Sequence, residues 1–139
     1  MGHIHIGFPE PDEAKTERVI KAMDIFLGLP SVWLDSDTRR RRLYGTAGSF
    51  RFKPFGCEYR TLSNFWIASE DLIKWAYDNT ILAVNTALKY DIDPLSKYEE
   101  ELQQVINESD VEGAKALYKT ILAEIKEITK VKNNLKTTV

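Results

Sequence analysis

Two pairs of residues near the start and middle of this sequence have the spacing and chemistry of a binding or catalytic site. The chain's two histidines, His3 and His5, stand one residue apart in GHIHIGF, and Glu58 and Arg60 have the same spacing in CEYR. On a β-strand this spacing puts both side chains on one face, about 7 Å apart. Two imidazoles can bind a metal ion or a phosphate. A carboxylate beside a guanidinium can bind Mg²⁺ and a substrate carboxylate.

A third stretch, RRRRLYG, contains the arginines Arg40, Arg41 and Arg42. It lies in segment 36–60, where seven cations and two anions give a charge of +5, whereas the rest of the chain carries −7. This concentration of positive charge predicts an anionic partner. The phosphates of nucleic acid are one candidate, but the aromatic-studded basic sheet of RNA-binding modules is missing. We therefore do not expect nucleic acid to be the partner.

Each stretch taken alone also has a simpler interpretation. The histidine pair can be a chance occurrence, Glu58 and Arg60 can form a surface ion pair that contributes little stability, and the arginines can be a solvated helix face. Cys57 is the single cysteine, so it cannot form an internal disulfide. It alternates with Glu58, and we expect a buried, reduced thiol with no chemical role. The functional interpretation depends on whether the fold brings the three stretches together.

Hydrophobic periodicity predicts the elements that must position these residues. Residues 3–8 and 49–62 alternate as strands, and the second region is interrupted by Pro54 and Gly56 as in a hairpin. Helical spacing predicts a first helix capped by Asp12 and ended by Gly28 and Pro30, followed by a helix from Ser31 to about Leu43. Further helices are predicted over about 65–89, 95–108 and 110–131. The apolar residues of the 65–89 helix are spaced for burial: Trp66, Ile73, Tyr77, Ile81, Val84 and Leu88.

These elements predict an α+β fold in which short antiparallel strands (about 3–8 and 49–62) pack against a helix-rich C-terminal part. We expect one domain over residues 1–139, with a strand and arginine-rich part at 1–62 and a helical part at 63–132. No apolar run approaches the length of a membrane span, and no signal peptide is visible. With a single cysteine, these features favour a cytoplasmic protein that does not bind membranes.

The order of the three stretches resembles the active-site region of the glutamine synthetase-like carboxylate–amine ligases. GHIHIGF and RRRRLYGTAGSFRFKPFGCEYRTLSNFW together resemble the phage and bacterial type 2 branch of that superfamily, over residues 2–66. The resemblance implies a partial glutamine synthetase-like catalytic fold that uses ATP and Mg²⁺. ATP would phosphorylate a small-molecule or peptide carboxylate, and an amine would then displace the phosphate to give an amide. A phage-encoded member would act in the host cytoplasm.

The resemblance also implies a role for each candidate residue. His3 and Glu58 would hold the metal ion, His5 would contact nucleotide phosphate, and Arg60 would grip the acid substrate, so that Glu58 and Arg60 are the expected catalytic pair. The expected phosphate contacts also include four arginines: Arg40, Arg41, Arg42 and Arg51.

Two departures from the superfamily pattern lead to a further expectation. No Glu-x-Glu strand pair is found, and Gly56 stands two residues before Glu58, where glutamine synthetases carry an arginine. One glutamate and one histidine leave most of the octahedral coordination of Mg²⁺ to water. We therefore expect this chain to be the C-terminal half of a larger ligase, completed by an N-terminal half or by another copy. The alternative is a non-catalytic binding or assembly module that pairs through its helices, with Trp66, Trp75 and Tyr77 at the contact.

Overall fold

Three short strands form an antiparallel sheet that carries the two predicted pairs of residues. In the computed structural model, which describes residues 2–35 and 46–137 with side chains as far as residue 130, the strands are β1 (Ile4–Gly7), β2 (Phe50–Lys53) and β3 (Gly56–Tyr59). Their order is β1-β3-β2, so the chain's first strand pairs with its last. Both predicted strand regions and the α+β class are confirmed.

Helices make up most of the remaining described chain. They are α1 (Glu13–Met23), α2 (Leu29–Leu34), α3 (Glu70–Lys89), α4 (Glu99–Asn107) and α5 (Val111–Thr137). Short 3₁₀ turns, Asn64–Ala68 and Asp93–Tyr98, precede α3 and α4. Carboxylates satisfy free N–H groups at two helix starts, as expected of caps: Asp12 accepts from Lys15 N at 2.7 Å, and Asp110 accepts from Gly113 N at 3.0 Å.

The prediction that Gly28 and Pro30 end the first helix is wrong. A π-helical turn, Asp24–Gly28, joins α1 directly to α2, and its backbone bond from Leu29 N to Asp24 O spans five residues. Pro30 falls in the first turn of α2, where a missing N–H is tolerated. Ser31 is therefore inside a helix and donates to Gly28 O at 2.6 Å. The helix predicted to reach Leu43 ends at Leu34, and residues 36–45 lie outside the described residues.

The hydrophobic core lies between one face of the sheet and the helices. Ile6, Cys57 and Tyr59 point into it, and all three are buried. The helices contribute apolar residues at the predicted helical spacing: Val19, Ile20, Met23, Phe26, Leu27, Leu102, Ile106, Leu117 and Ile121. No helix in the described part of the chain is long and apolar enough to span a membrane. With one face of the sheet buried, the opposite face is left to carry the polar residues.

The prediction for the apolar face of the long helix is confirmed for Trp66, Val84 and Leu88, which pack partly buried against the core, and is wrong for the other three residues. Ile73, Tyr77 and Ile81 are exposed by 44%, 66% and 43%, whereas the helix buries Ala76, Ala83, Thr86 and Ala87. These small side chains allow α3 to pack closely against α1. The three large residues next to this packed side are left exposed to solvent. We call Ile73, Tyr77 and Ile81 the α3 stripe.

Candidate functional site

The register of the sheet aligns three of the predicted functional residues across its three strands. Glu58 on the central strand is opposite His5 on β1 and opposite Arg51 on β2. Lys53 shares this face because side chains alternate along a strand, and His3 shares it through its contact with Glu58. Arg60 follows the same alternation, because its bond to Ser49 O continues the β3–β2 pairing by one residue. The fold therefore brings together residues that are more than 50 positions apart in sequence. We call this surface the Glu58 face, and its members are His3, His5, Arg51, Lys53, Glu58 and Arg60.

Glu58 is tied to His3 by a direct hydrogen bond. Nδ1 of His3 lies 2.9 Å from Oε1 of Glu58, and Nζ of Lys53 lies 3.5 Å from Oε2. An ionised carboxylate can only accept, so the proton of this bond is on Nδ1. The neutral ring then keeps its lone pair on Nε2. Histidines that bind metals or move protons are often oriented in this way by a carboxylate.

The surroundings of Glu58 hold its carboxylate in the ionised form. Burial acts to raise its pKa, since the residue is only 7% exposed. The hydrogen bond from His3, followed by electrostatic interactions with Lys53 and the two histidines, outweighs burial, so the pKa of Glu58 lies below its ordinary value. An ionised carboxylate bonded to an imidazole is suited to orient that base, and the remaining lone pairs on its oxygens can serve a metal ion.

The other predicted members of the site differ in their exposure. The His5 and Arg51 residues flank Glu58 and are exposed, and the His5 ring lies 6.2 Å from the Phe55 ring. Arg60 is half-buried, and its backbone N–H donates to Ser49 O at 2.8 Å. The expected phosphate contacts Arg40, Arg41 and Arg42 lie outside the described residues.

The residue types at Gly56 and Cys57, neighbours in β3, each have a clear physical explanation. Gly56 has φ of 156°, and a Cβ at this position would lie 2.1 Å from Ile6 O. The close pairing of β1 with β3 therefore excludes any side chain where glutamine synthetases carry an arginine. Cys57 is buried as predicted, and burial raises the pKa of its thiol to about 11. A protonated thiol under the sheet fits the expectation that Cys57 has no chemical role.

Sequence reasoning missed two features near the site. Lys53 follows Arg51 on the same face of β2, and that two-residue spacing was the available signal for its contact with Glu58. Below the sheet, buried Asp24 accepts from the Tyr59 hydroxyl at 2.6 Å and from Gly48 N at 3.0 Å. Asp24 stands in a run of apolar helical residues, and no local pattern predicts that its partner is on β3.

Comparison with known proteins supports the assignment suggested by these residues. A family model, described as phage phiEco32-like COOH.NH2 ligase-type 2, matches residues 1–138. The chain belongs to this family. No curated protein and no solved structure matched the chain. The match to the ligase family covers the helical region as well as the strands, so the likeness is more extensive than the 2–66 segment seen from the sequence.

Membership in the ligase family makes the Glu58 face a candidate reaction site. The number of metal-binding side chains on this face limits how it can bind a metal ion. Among the described residues, no group of three or more histidine, cysteine, aspartate or glutamate side chains is arranged to bind a metal ion. Glu58 is the single carboxylate of the face, and it is surrounded by nitrogen donors. Within residues 2–35 and 46–130, the face therefore offers Glu58 as its one carboxylate ligand.

Proposed function

We propose that the chain acts as an ATP-dependent carboxylate–amine ligase, with the Glu58 face as its reaction site. One observation carries the proposal: the row His5–Glu58–Arg51, with His3 bonded to Glu58, in a member of a ligase family. Phosphoryl transfer depends on positioned cations around the developing negative charge more than on covalent chemistry. A reaction that consumes ATP also fits the cytoplasmic location expected from the sequence.

Glu58 fits the role of a Mg²⁺ ligand. Mg²⁺ is commonly held by one or two carboxylates, with phosphate oxygens and water completing its octahedron. When bound, the ion would neutralise charge on the transferring phosphoryl group. His3 is bonded to Glu58 through Nδ1, so in this arrangement it orients the carboxylate that would hold the ion. We therefore propose His3 as a positioning residue that can also accept a proton through Nε2.

Residues of the Glu58 face can be assigned a role in each of the two reaction steps. A carboxylate oxygen of the acid attacks the γ-phosphorus of ATP, the bond to the β–γ bridging oxygen breaks, and ADP leaves with the bonding electron pair. The amine nitrogen then attacks the acyl carbon, phosphate leaves, and the amine releases a proton. Arg60 would orient the acid through paired hydrogen bonds. The His5 and Arg51 side chains would stabilise phosphate charge, and His3 would accept the proton.

We further propose that the working site includes oxygen ligands from a second polypeptide, either an N-terminal half or another copy of the chain. The support is that the described residues give the Glu58 face one carboxylate and few other ligand groups. A Mg²⁺–nucleotide complex held by one protein carboxylate would bind weakly. Nucleotide affinity should therefore rise when the completing segment is present.

Trapping of the acyl phosphate tests the proposal. Hydroxylamine replaces the amine and converts acyl phosphates into hydroxamates, which are detected as coloured iron(III) complexes. Mixtures of amino acids and short peptides serve as the acids. We expect hydroxamate that depends on ATP and Mg²⁺ and is lost in Glu58→Gln and Arg60→Gln. Lys119→Gln, which removes an exposed cation on α5, is the matched control and should retain it. Hydroxamate formation that survives Glu58→Gln would contradict the proposal.

A second candidate is a binding or assembly module derived from the same fold. The α3 stripe favours it, because large exposed apolar surfaces mark interaction sites. In this case Glu58 and His3 would serve only to hold β1 on the sheet. ATP-independent binding of a partner, with no hydroxamate formed, would favour this candidate over the ligase.

A further inference from the structure

The outer edge of β1 presents backbone groups that can pair with another strand. Phe8 N donates to Phe55 O at 3.1 Å, so the even-numbered residues of β1 direct their backbone groups toward β3. The alternation directs the N–H and C=O groups of His5 and Gly7 outward. Both residues are exposed, and β1 pairs only with β3 in the described part of the chain. Such an edge is a template for strand addition.

An apolar groove runs between this edge and α3. Its volume is about 290 Å³, and it is lined by Ile4, His5, Trp66, Ala76, Thr80 and the α3 stripe. The floor is fixed by Trp66, whose Nε1 donates to Gly2 O at 3.1 Å. An exposed strand edge beside an apolar groove is the architecture that binds extended peptides, with backbone hydrogen bonds on one side and pockets for alternate side chains.

The charge of the Glu58 face selects the peptide side chains that point away from the groove. A strand added to β1 would place every second side chain on the Glu58 face. Among the described residues, that face carries the cations Arg51, Lys53 and Arg60 and the carboxylate of Glu58. Acidic side chains are therefore favoured on this side and apolar ones on the groove side. A second copy of the chain is disfavoured, because joining two β1 edges would bring two cationic faces together.

We propose that the β1 edge and the groove bind an extended acidic peptide, in which carboxylate and apolar side chains alternate, as the acid substrate. The residue paired opposite His5 would lie one strand spacing, about 4.8 Å, from His5 and two from Glu58. Its carboxylate would then reach the site from the open side of the sheet. The peptide's role as substrate rests on the proposed ligase function, but its docking does not.

Fluorescence anisotropy with a labelled, end-blocked peptide of about nine alternating valines and glutamates tests the docking without ATP. We expect saturable binding that weakens about tenfold or more when glutamines replace the glutamates. N-methylation of the backbone nitrogens of one alternate set should abolish binding, whereas N-methylation of the other set should leave it unchanged. A difference between the two alternate sets of N-methylated nitrogens is specific to strand pairing.

The groove is tested with paired surface variants. The double variant Ile73→Ser with Tyr77→Ser should weaken binding about tenfold, because it removes apolar contacts with the peptide. Leu82→Ser is the matched control: Leu82 is equally exposed on the same helix but lines a different groove. No binding at millimolar peptide, equal effects of both N-methylated sets, or equal loss in Leu82→Ser would overturn the proposal.

The substrate role is separated from docking by a second readout. With ATP and Mg²⁺ present, the glutamate peptide should stimulate release of ADP and the glutamine peptide should not. One outcome is a peptide that binds with the expected difference between the two N-methylated sets and yet leaves ADP release unchanged. That result would overturn the substrate assignment but not the docking site. Hydroxamate formed from other acids, together with no peptide binding, would refute the docking site and leave the ligase function standing.

Discussion

Replacement of Glu58 by glutamine removes the charge that organises the Glu58 face while keeping the shape of the side chain. In the native protein Glu58 accepts a hydrogen bond from His3 at 2.9 Å and lies 3.5 Å from Lys53. A hydrogen bond to a charged group contributes about 1.5–3 kcal/mol. Lys53 is partly exposed and adds little to this value. We therefore expect Glu58→Gln to lower the free energy of unfolding by about 2 kcal/mol at pH 7.

The pH dependence of this loss follows from the lowered pKa of Glu58. A carboxyl with a lower pKa in the folded state stabilises the protein above its unfolded pKa, and the stabilisation is lost as the pH falls through the folded pKa. The difference between the native protein and Glu58→Gln should therefore be full at pH 7 and vanish in acid, below the lowered pKa. Protonated Glu58 and glutamine are then close to equivalent.

Urea unfolding followed by tryptophan fluorescence measures this difference. For a slope of about 1–3 kcal/mol per molar urea, the midpoint should fall by about 1 M at pH 7. Asp78→Asn is the control, because its exposed ion pair with Lys74 on α3 should contribute little. Equal midpoints for Glu58→Gln and the native protein at pH 7 would refute the reasoning, as would a difference that persists unchanged in strong acid.

Three further predictions concern the strands that carry the site. Gly56→Ala should destabilise the fold by about 2 kcal/mol or more, because its Cβ would collide with Ile6 O; circular dichroism melting checks this, and an unchanged melting temperature would contradict the observed β1–β3 pairing. Tyr59→Phe should cost about 1.5–3 kcal/mol in urea unfolding, since buried Asp24 loses a donor; a loss below measurement would mean that water replaces the hydroxyl. Cys57 should resist iodoacetamide at pH 8 in the folded protein and react after unfolding, because its thiol is buried with a pKa near 11; rapid labelling of the folded chain would contradict this burial.

The elements of the fold were largely predictable from local pattern, but their partners were not. Alternation in GHIHIGF and around Glu58 predicted strands, and the pairing of the first strand with the last depends on contacts between residues over 50 positions apart. Gly28 and Pro30 are strong local stop signals for a helix. They failed here because the π-helical turn places Pro30 where a missing N–H is tolerated.

The candidate site was predicted in composition but not in detail. Residue type and spacing indicated His3, His5, Arg51, Glu58 and Arg60, and the sheet places them on one face. The direct bond between His3 and Glu58 could not be predicted, since it depends on the register of two separate strands. Of the large apolar residues expected in the core, the α3 stripe is exposed, because small residues allow closer helix packing and alanines occupy the buried side.

Calorimetric titration with ATP and Mg²⁺ tests the central claim most directly, namely that the Glu58 face binds a nucleotide's phosphates and its metal ion. The native chain should give a binding isotherm that requires Mg²⁺, with affinity reduced about tenfold or more in both Glu58→Gln and Arg51→Gln. Lys119→Gln should bind as the native chain does. Nucleotide binding that is equally strong in Glu58→Gln and Arg51→Gln, or no binding by the native chain at millimolar ATP, would contradict the account.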